Sequence, residues 1–86
     1  MTGKVLILTA HAQTRMRSRQ IKAQWVEATV REPLWTERDP QDRQIERRFR
    51  AIHEFGERIL RVACIENEST IHVISVMFDR NARPKS

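Results

Sequence analysis

With 86 residues the chain can enclose one hydrophobic core but not two, so residues 1–86 are expected to form a single domain with its functional groups on the surface of that core. The formal net charge is +5, carried by thirteen arginines and only three lysines. Planar, bidentate guanidinium matches phosphate and carboxylate geometry, and phosphate is the commonest partner of such a surface. No apolar run of roughly 18 residues occurs, and residues 4–8 (KVLIL) are too few for a secretory signal, so the sequence predicts no membrane partner and a cytoplasmic location.

In chain order, residues 4–8 form an apolar run that reads either as a first strand or as the entry to a helix. Thr9 is a suitable N-cap for a helix over residues 10–19. A second helical period, with Ala23, Val26 and Val30 on one side, restarts after residues 20–22 and ends near Glu32, because Pro33 disfavours helix in the residue before it. Trp25 lies off that stripe and is expected to cover an edge of the core. From Leu34 the period changes to two. Residues 34–38 form a short strand closed by an Asp39-Pro40 turn, and residues 43–55 alternate, with Ile45, Arg47, Phe49, Ala51 and His53 on one face. Residues 58–65 continue as a strand, residues 66–69 make a polar hairpin loop, and residues 70–78 are a β-branched last strand. Two N-terminal helices followed by strands joined through short loops define an α+β domain. The helices are expected on one face of a three- to five-stranded antiparallel sheet, leaving the other face for solvent or a ligand.

One stretch concentrates chemistry. Residues 11–19 (HAQTRMRSR) hold one histidine and three arginines. At about 100 degrees per residue, His11, Arg15 and Arg19 share a helical stripe roughly 80 degrees wide, beside an anchoring stripe of Ala12 and Met16. Arg17 falls on the far side. Three such groups repel unless an anion joins them. A histidine can move a proton at neutral pH, and adjacent arginines can neutralise charge growing on a phosphate attacked by a ribose 2'-hydroxyl, a reaction that needs no metal. The bland alternative is a histidine packing the first helical turn beside solvated arginines.

The strands supply a second set. Arg61 shares a face with Ile59, Ala63 and Ile65, and Arg47 shares one with Ile45, Phe49 and Ala51, so each must find a partner or line a cleft. Together they would make a basic, substrate-binding platform. Arg48 and Arg50, on the opposite side, read as solvated edge charges. His53 and His72 read as structural or surface residues whose only functional claim is as second acids. Cys64 lacks a partner and lies in an apolar run, which marks a core residue rather than a nucleophile. The histidines lack the paired spacings of zinc sites, so no metal is expected, and with only Gly3 and Gly56 the chain has no phosphate-binding glycine loop.

The pattern His11-Ala12, Arg15-Met16, Arg19 and Ile21, then Val26, Val30 and Pro33 ahead of a strand-rich half, resembles a family of small bacterial domains of unknown function (DUF4258). The likeness covers nearly the whole chain. Residues 73–78 (VISVMF) are similar to that family's last strand, with Ser75 in place of a threonine and without the tyrosine often found near its end. That family is similar to the BrnT and RelE/ParE toxin superfamily. The resemblance implies two helices against an antiparallel sheet, RNA cleavage without a metal or cofactor, and His11, Arg15 and Arg19 as the catalytic positions. It also implies a divided function, since RelE-like members cut ribosome-bound messenger RNA and ParE-like members inhibit gyrase through protein contacts. A RelE-like site with a catalytic tyrosine is excluded, because the chain has no tyrosine. The expectation is a toxin-like, metal-independent ribonuclease or RNA-binding domain. The alternative is a non-catalytic interaction module whose basic face holds an acidic antitoxin or a host enzyme.

Overall fold

The computed structural model describes residues 3–84. The elements are β1 (Val5–Leu8), α1 (Ala10–Arg19), α2 (Ala23–Arg31), β2 (Trp35–Arg38), β3 (Glu46–Ile52), a single 3-10 turn (His53–Phe55), β4 (Arg58–Glu66) and β5 (Thr70–Phe78). One five-stranded sheet has the order β1-β5-β4-β3-β2.

The sheet is mixed, not antiparallel throughout: β1 runs parallel to β5, with Val5 opposite Thr70 and Leu8 opposite Val73, and the other pairings are antiparallel. Short turns fix the directions of the four-strand meander from β2 to β5. The direction of β1 is set instead by the path through two helices, which carries the chain to the far edge of the sheet and leaves the last strand as β1's neighbour.

Both helices cover one face. Leu60, Val62 and Cys64 of β4 and Ile71, Val73 and Val76 of β5 point into the core, where they meet Ala12, Ile21, Trp25, Val26 and Val30. Full burial of each such aliphatic side chain contributes about 1.5–3 kcal/mol. Thr9 starts α1 by accepting a hydrogen bond from the Ala12 N–H at 3.2 Å, and its own hydroxyl donates to the Ile74 carbonyl at 3.2 Å. Between Ala63 and Cys64 the β4–β5 register shifts, so that Ile74 is an extra residue on β5. This bulge lies where the helix start is tied to the strand.

Two arginines depart from expectation. Arg48 and Arg50 are not solvated edge charges, because their row of β3 lies beneath the end of α2. Arg48 is 9% exposed; it donates to the Val30 carbonyl at 2.9 Å, to Glu46 at 2.7 Å and to Glu66 at 2.5 Å, and Lys4 also contacts Glu66 at 2.5 Å. Arg50 donates to the Glu32 carbonyl at 2.5 Å. The last carbonyls of a helix lack intrahelical partners and carry partial negative charge, so two guanidinium groups are well placed to satisfy them.

No element covers the other face of the sheet among the described residues, and Val5, Ile7 and Met77 are exposed there. Phe49 is the exception, buried because the Trp35 ring stacks on it at 4.7 Å with planes only 3° apart.

Candidate phosphate-binding cleft

The sequence of α1 divides its surface as the helical wheel requires. Ala12 is fully buried and Met16 packs against the core, so the stripe of His11, Arg15 and Arg19 turns outward. Gln20 ends the helix in the left-handed conformation (φ 56), with its N–H on the Met16 and Arg17 carbonyls, and buried Ile21 follows.

Arg15 and Arg19 line a cleft of about 570 Å³ at the end of the sheet, where the C-terminus of β5 meets the N-terminus of β4. Arg58 and Arg80 line it too. Their meeting follows from the hairpin register, which sets Leu60 opposite Phe78 and so brings the residues flanking both strands to one end. The sequence alone does not place either of them there, although the hairpin loop at residues 66–69 carries part of that signal by setting β4 against β5. His11 does not line the cleft. It is exposed on the same stripe, one helical turn and roughly 6 Å along the axis from Arg15.

The four arginines of the cleft share one electrostatic property. Among the described residues, Arg15, Arg19, Arg58 and Arg80 have no carboxylate within 4.0 Å, whereas Arg31, Arg47, Arg48 and Arg61 each do. The cleft contains two carboxylates, Glu57 and Asp79, and both are engaged by other side chains. Asp79 accepts from Arg61 at 3.1 Å. Glu57 accepts from the His53 ring and holds the imidazole pKa above its ordinary value, first through that hydrogen bond and then through its charge. Glu57 is itself in the left-handed region (φ 61), directly after Gly56 (φ 69), a conformation that a non-glycine residue adopts at some cost.

Arg61 and Arg47 both point to the open face, opposite the helices. Arg61 touches the cleft only through its partners Asp79 and Met77, and Arg47 is held by Asp39 at 3.3 Å. The structure therefore brings Arg15 and Arg19 together in one cleft with His11 beside it, puts Arg61 behind one wall, and leaves Arg47 elsewhere. His72 is half-buried on the open face between Ile7 and Ile65. Cys64 is fully buried and its thiol pKa is pushed up to about 11 by that burial, which suits a core residue and not a nucleophile. Among the described residues no three His, Cys, Asp or Glu side chains gather as a metal site. No described helix is long and apolar enough to cross a membrane.

The aromatic floor is the second property of the cleft. Phe55 and Phe78 line it with ring centroids 5.0 Å apart, and Trp25 packs beneath both, 5.6 Å from Phe55 and 6.2 Å from Phe78. A site with carboxylate-free guanidinium groups around exposed aromatic surface binds anions that also offer a flat or apolar part.

A family model described as Domain of unknown function (DUF4258) matches residues 8–78, which takes in both helices, the meander and most of the cleft. Comparisons with curated proteins and with solved structures give no significant match.

Proposed function

The chain belongs to the family Domain of unknown function (DUF4258), and from that premise we propose that it is a toxin-like, metal-independent ribonuclease or RNA-binding domain, akin to the BrnT and RelE/ParE superfamily, that holds RNA phosphates in the arginine cleft. The observation that carries this reading is the convergence of Arg15, Arg19, Arg58 and Arg80, none with a carboxylate partner, on one cleft. Arginines that serve only solubility are scattered, and those that serve the fold acquire partners, as Arg48 does.

In the cleavage reading, Arg15 and Arg19 fix the scissile phosphate and take up the charge that grows on it as the ribose 2'-oxygen attacks. His11 accepts the 2'-hydroxyl proton. The leaving 5'-oxygen takes a proton from water in the open cleft, and the His11 imidazolium afterwards returns its proton to solvent. The products are a 2',3'-cyclic phosphate and a free 5'-hydroxyl, with the proton count unchanged.

Expression of the wild type beside His11→Ala and Arg15→Ala, scoring growth and messenger RNA integrity together, tests the reading. Purified protein should cut RNA in the presence of a chelator, and His11→Ala should lose cleavage while retaining RNA affinity. If RNA is bound but left uncut by the wild type, the domain is an RNA binder and not a nuclease. If RNA is not bound at low salt and an acidic protein co-purifies, the arginine cleft is a docking site for that protein and the RNA reading fails.

A further inference from the structure

Phe55 is 40% exposed, an unusual position for a phenylalanine that is also pinned by two aromatic neighbours. The packing of Trp25 and Phe78 against it fixes its plane, so little conformational entropy remains to be lost when something settles on the free side. The Arg58 guanidinium lies over the Phe55 ring, 4.9 Å from its centroid. Arg58 is itself exposed and has no carboxylate holding it. It is a flat cation on a long stem, resting where another flat group can slide beneath it.

We infer that Phe55 and Arg58 form a stacking slot for a single unpaired nucleobase, so that the cleft selects single-stranded RNA over duplex. The inference rests on the RNA reading of the same cleft. In a duplex both faces of every base are covered by its neighbours, and only an unstacked base can lie on an aromatic ring. Arg15 and Arg19 stand across the cleft as phosphate contacts. The roughly 570 Å³ of space lies within the range of small-molecule sites and accommodates a nucleotide. Arg58 swings outward as the base enters and stacks on its far face, which retains the cation–π contact with a different ring system.

The test compares four ligands on the full chain, by fluorescence polarisation at low salt in chelator, where cleavage is blocked by 2'-O-methyl substitution. The ligands are a labelled single strand, a hairpin whose stem has the same sequence, a blunt duplex, and an abasic phosphodiester strand of equal length. The single strand should bind about tenfold or more tightly than the duplex and the abasic strand. Phe55→Leu, which keeps apolar volume under the cleft, should lower single-strand affinity about tenfold with an unchanged salt slope, and Phe55→Trp should restore it. Arg15→Ala should instead lower the slope for all ligands. Equal binding of abasic and natural strands, or an unaffected Phe55→Leu beside a weakened Arg15→Ala, overturns the stacking slot and leaves phosphate binding standing. The abasic comparison needs no substitution and so holds even if Phe55→Leu folds poorly. Absence of any RNA binding by the wild type overturns the slot together with the reading it rests on.

Discussion

Two groups of arginine lie at opposite ends of the strands on the helix-covered side. At one end Arg48, flanked by Glu46 and Glu66 and capping the Val30 carbonyl, has a partner for each of its three nitrogens. At the other, Arg15, Arg19, Arg58 and Arg80 surround a cleft whose two carboxylates already serve His53 and Arg61. Guanidinium is the same group in both. The difference is burial: an arginine taken out of water must be matched locally, so Arg48 gathers acids from β3 and β4, whereas the half-buried Arg15 and the exposed Arg19, Arg58 and Arg80 keep contact with water and can remain unmatched until a ligand arrives. Residue type thus says little about role, and the inventory of partners says a good deal.

The largest effect should come from breaking the matched end. Arg48→Met leaves Glu46, Glu66 and the end of α2 without their donor and should cost about 3 kcal/mol in urea unfolding. Arg15→Ala should change stability by less than about 0.5 kcal/mol. Equal losses for the two would erase the distinction between the ends. The matched end should also respond to alkali through Cys64, which pairs with Glu46 across the sheet. Its thiol pKa rises from 9.0 to about 11 on folding because burial disfavours the thiolate. The folded state therefore keeps the proton that the unfolded state releases, so the stabilisation is present below pH 9 and lost as pH rises from 9 towards 11. Stability at pH 10 should be lower by about 1 kcal/mol than at pH 8, and Cys64→Ala should remove that part of the pH dependence even though it lowers stability overall.

The two ends were unequally legible in the sequence. The helix over residues 10–19, its Thr9 cap, the alternation on β4, the β-branched strand β5 and the outward stripe of His11, Arg15 and Arg19 follow from local sequence and match the structure. Periodicity marks which residues share a face but not what lies over that face. Alternation alone makes Arg48 and Arg50 solvated, because it cannot show that α2 ends above β3. The parallel pairing of β1 leaves no local signal for a similar reason, since no turn joins it to its partner more than 60 residues later. Arg58 and Arg80 reach the cleft through hairpin register. That register was implicit in the loop at residues 66–69, but its meeting with α1 was not.

A smaller effect concerns how firmly α1 presents its arginines. Gln20 holds a left-handed conformation at the helix end, where glycine carries no Cβ penalty. Gln20→Gly should raise stability by about 0.5 kcal/mol in thermal unfolding and leave RNA affinity unchanged. A gain in affinity along with stability would mean that fraying of α1 limits the unmatched end.

The smallest expected effect is the most discriminating. Arg17 lies on the same helix and is also without a carboxylate partner, yet it lines a different hollow with Leu8 and Gln13, away from the cleft. Net charge is identical in Arg17→Ala and Arg15→Ala, so long-range attraction of a polyanion changes equally in both. A phosphate contact differs from such attraction because it releases a counterion bound at a defined place. Arg15→Ala should therefore flatten the plot of log affinity against log salt by about 0.7 for a single strand, and Arg17→Ala should leave that slope where it was. Equal slopes in the two variants would reduce the unmatched end to a diffuse positive surface, in which the position of each arginine has no bearing on what it binds.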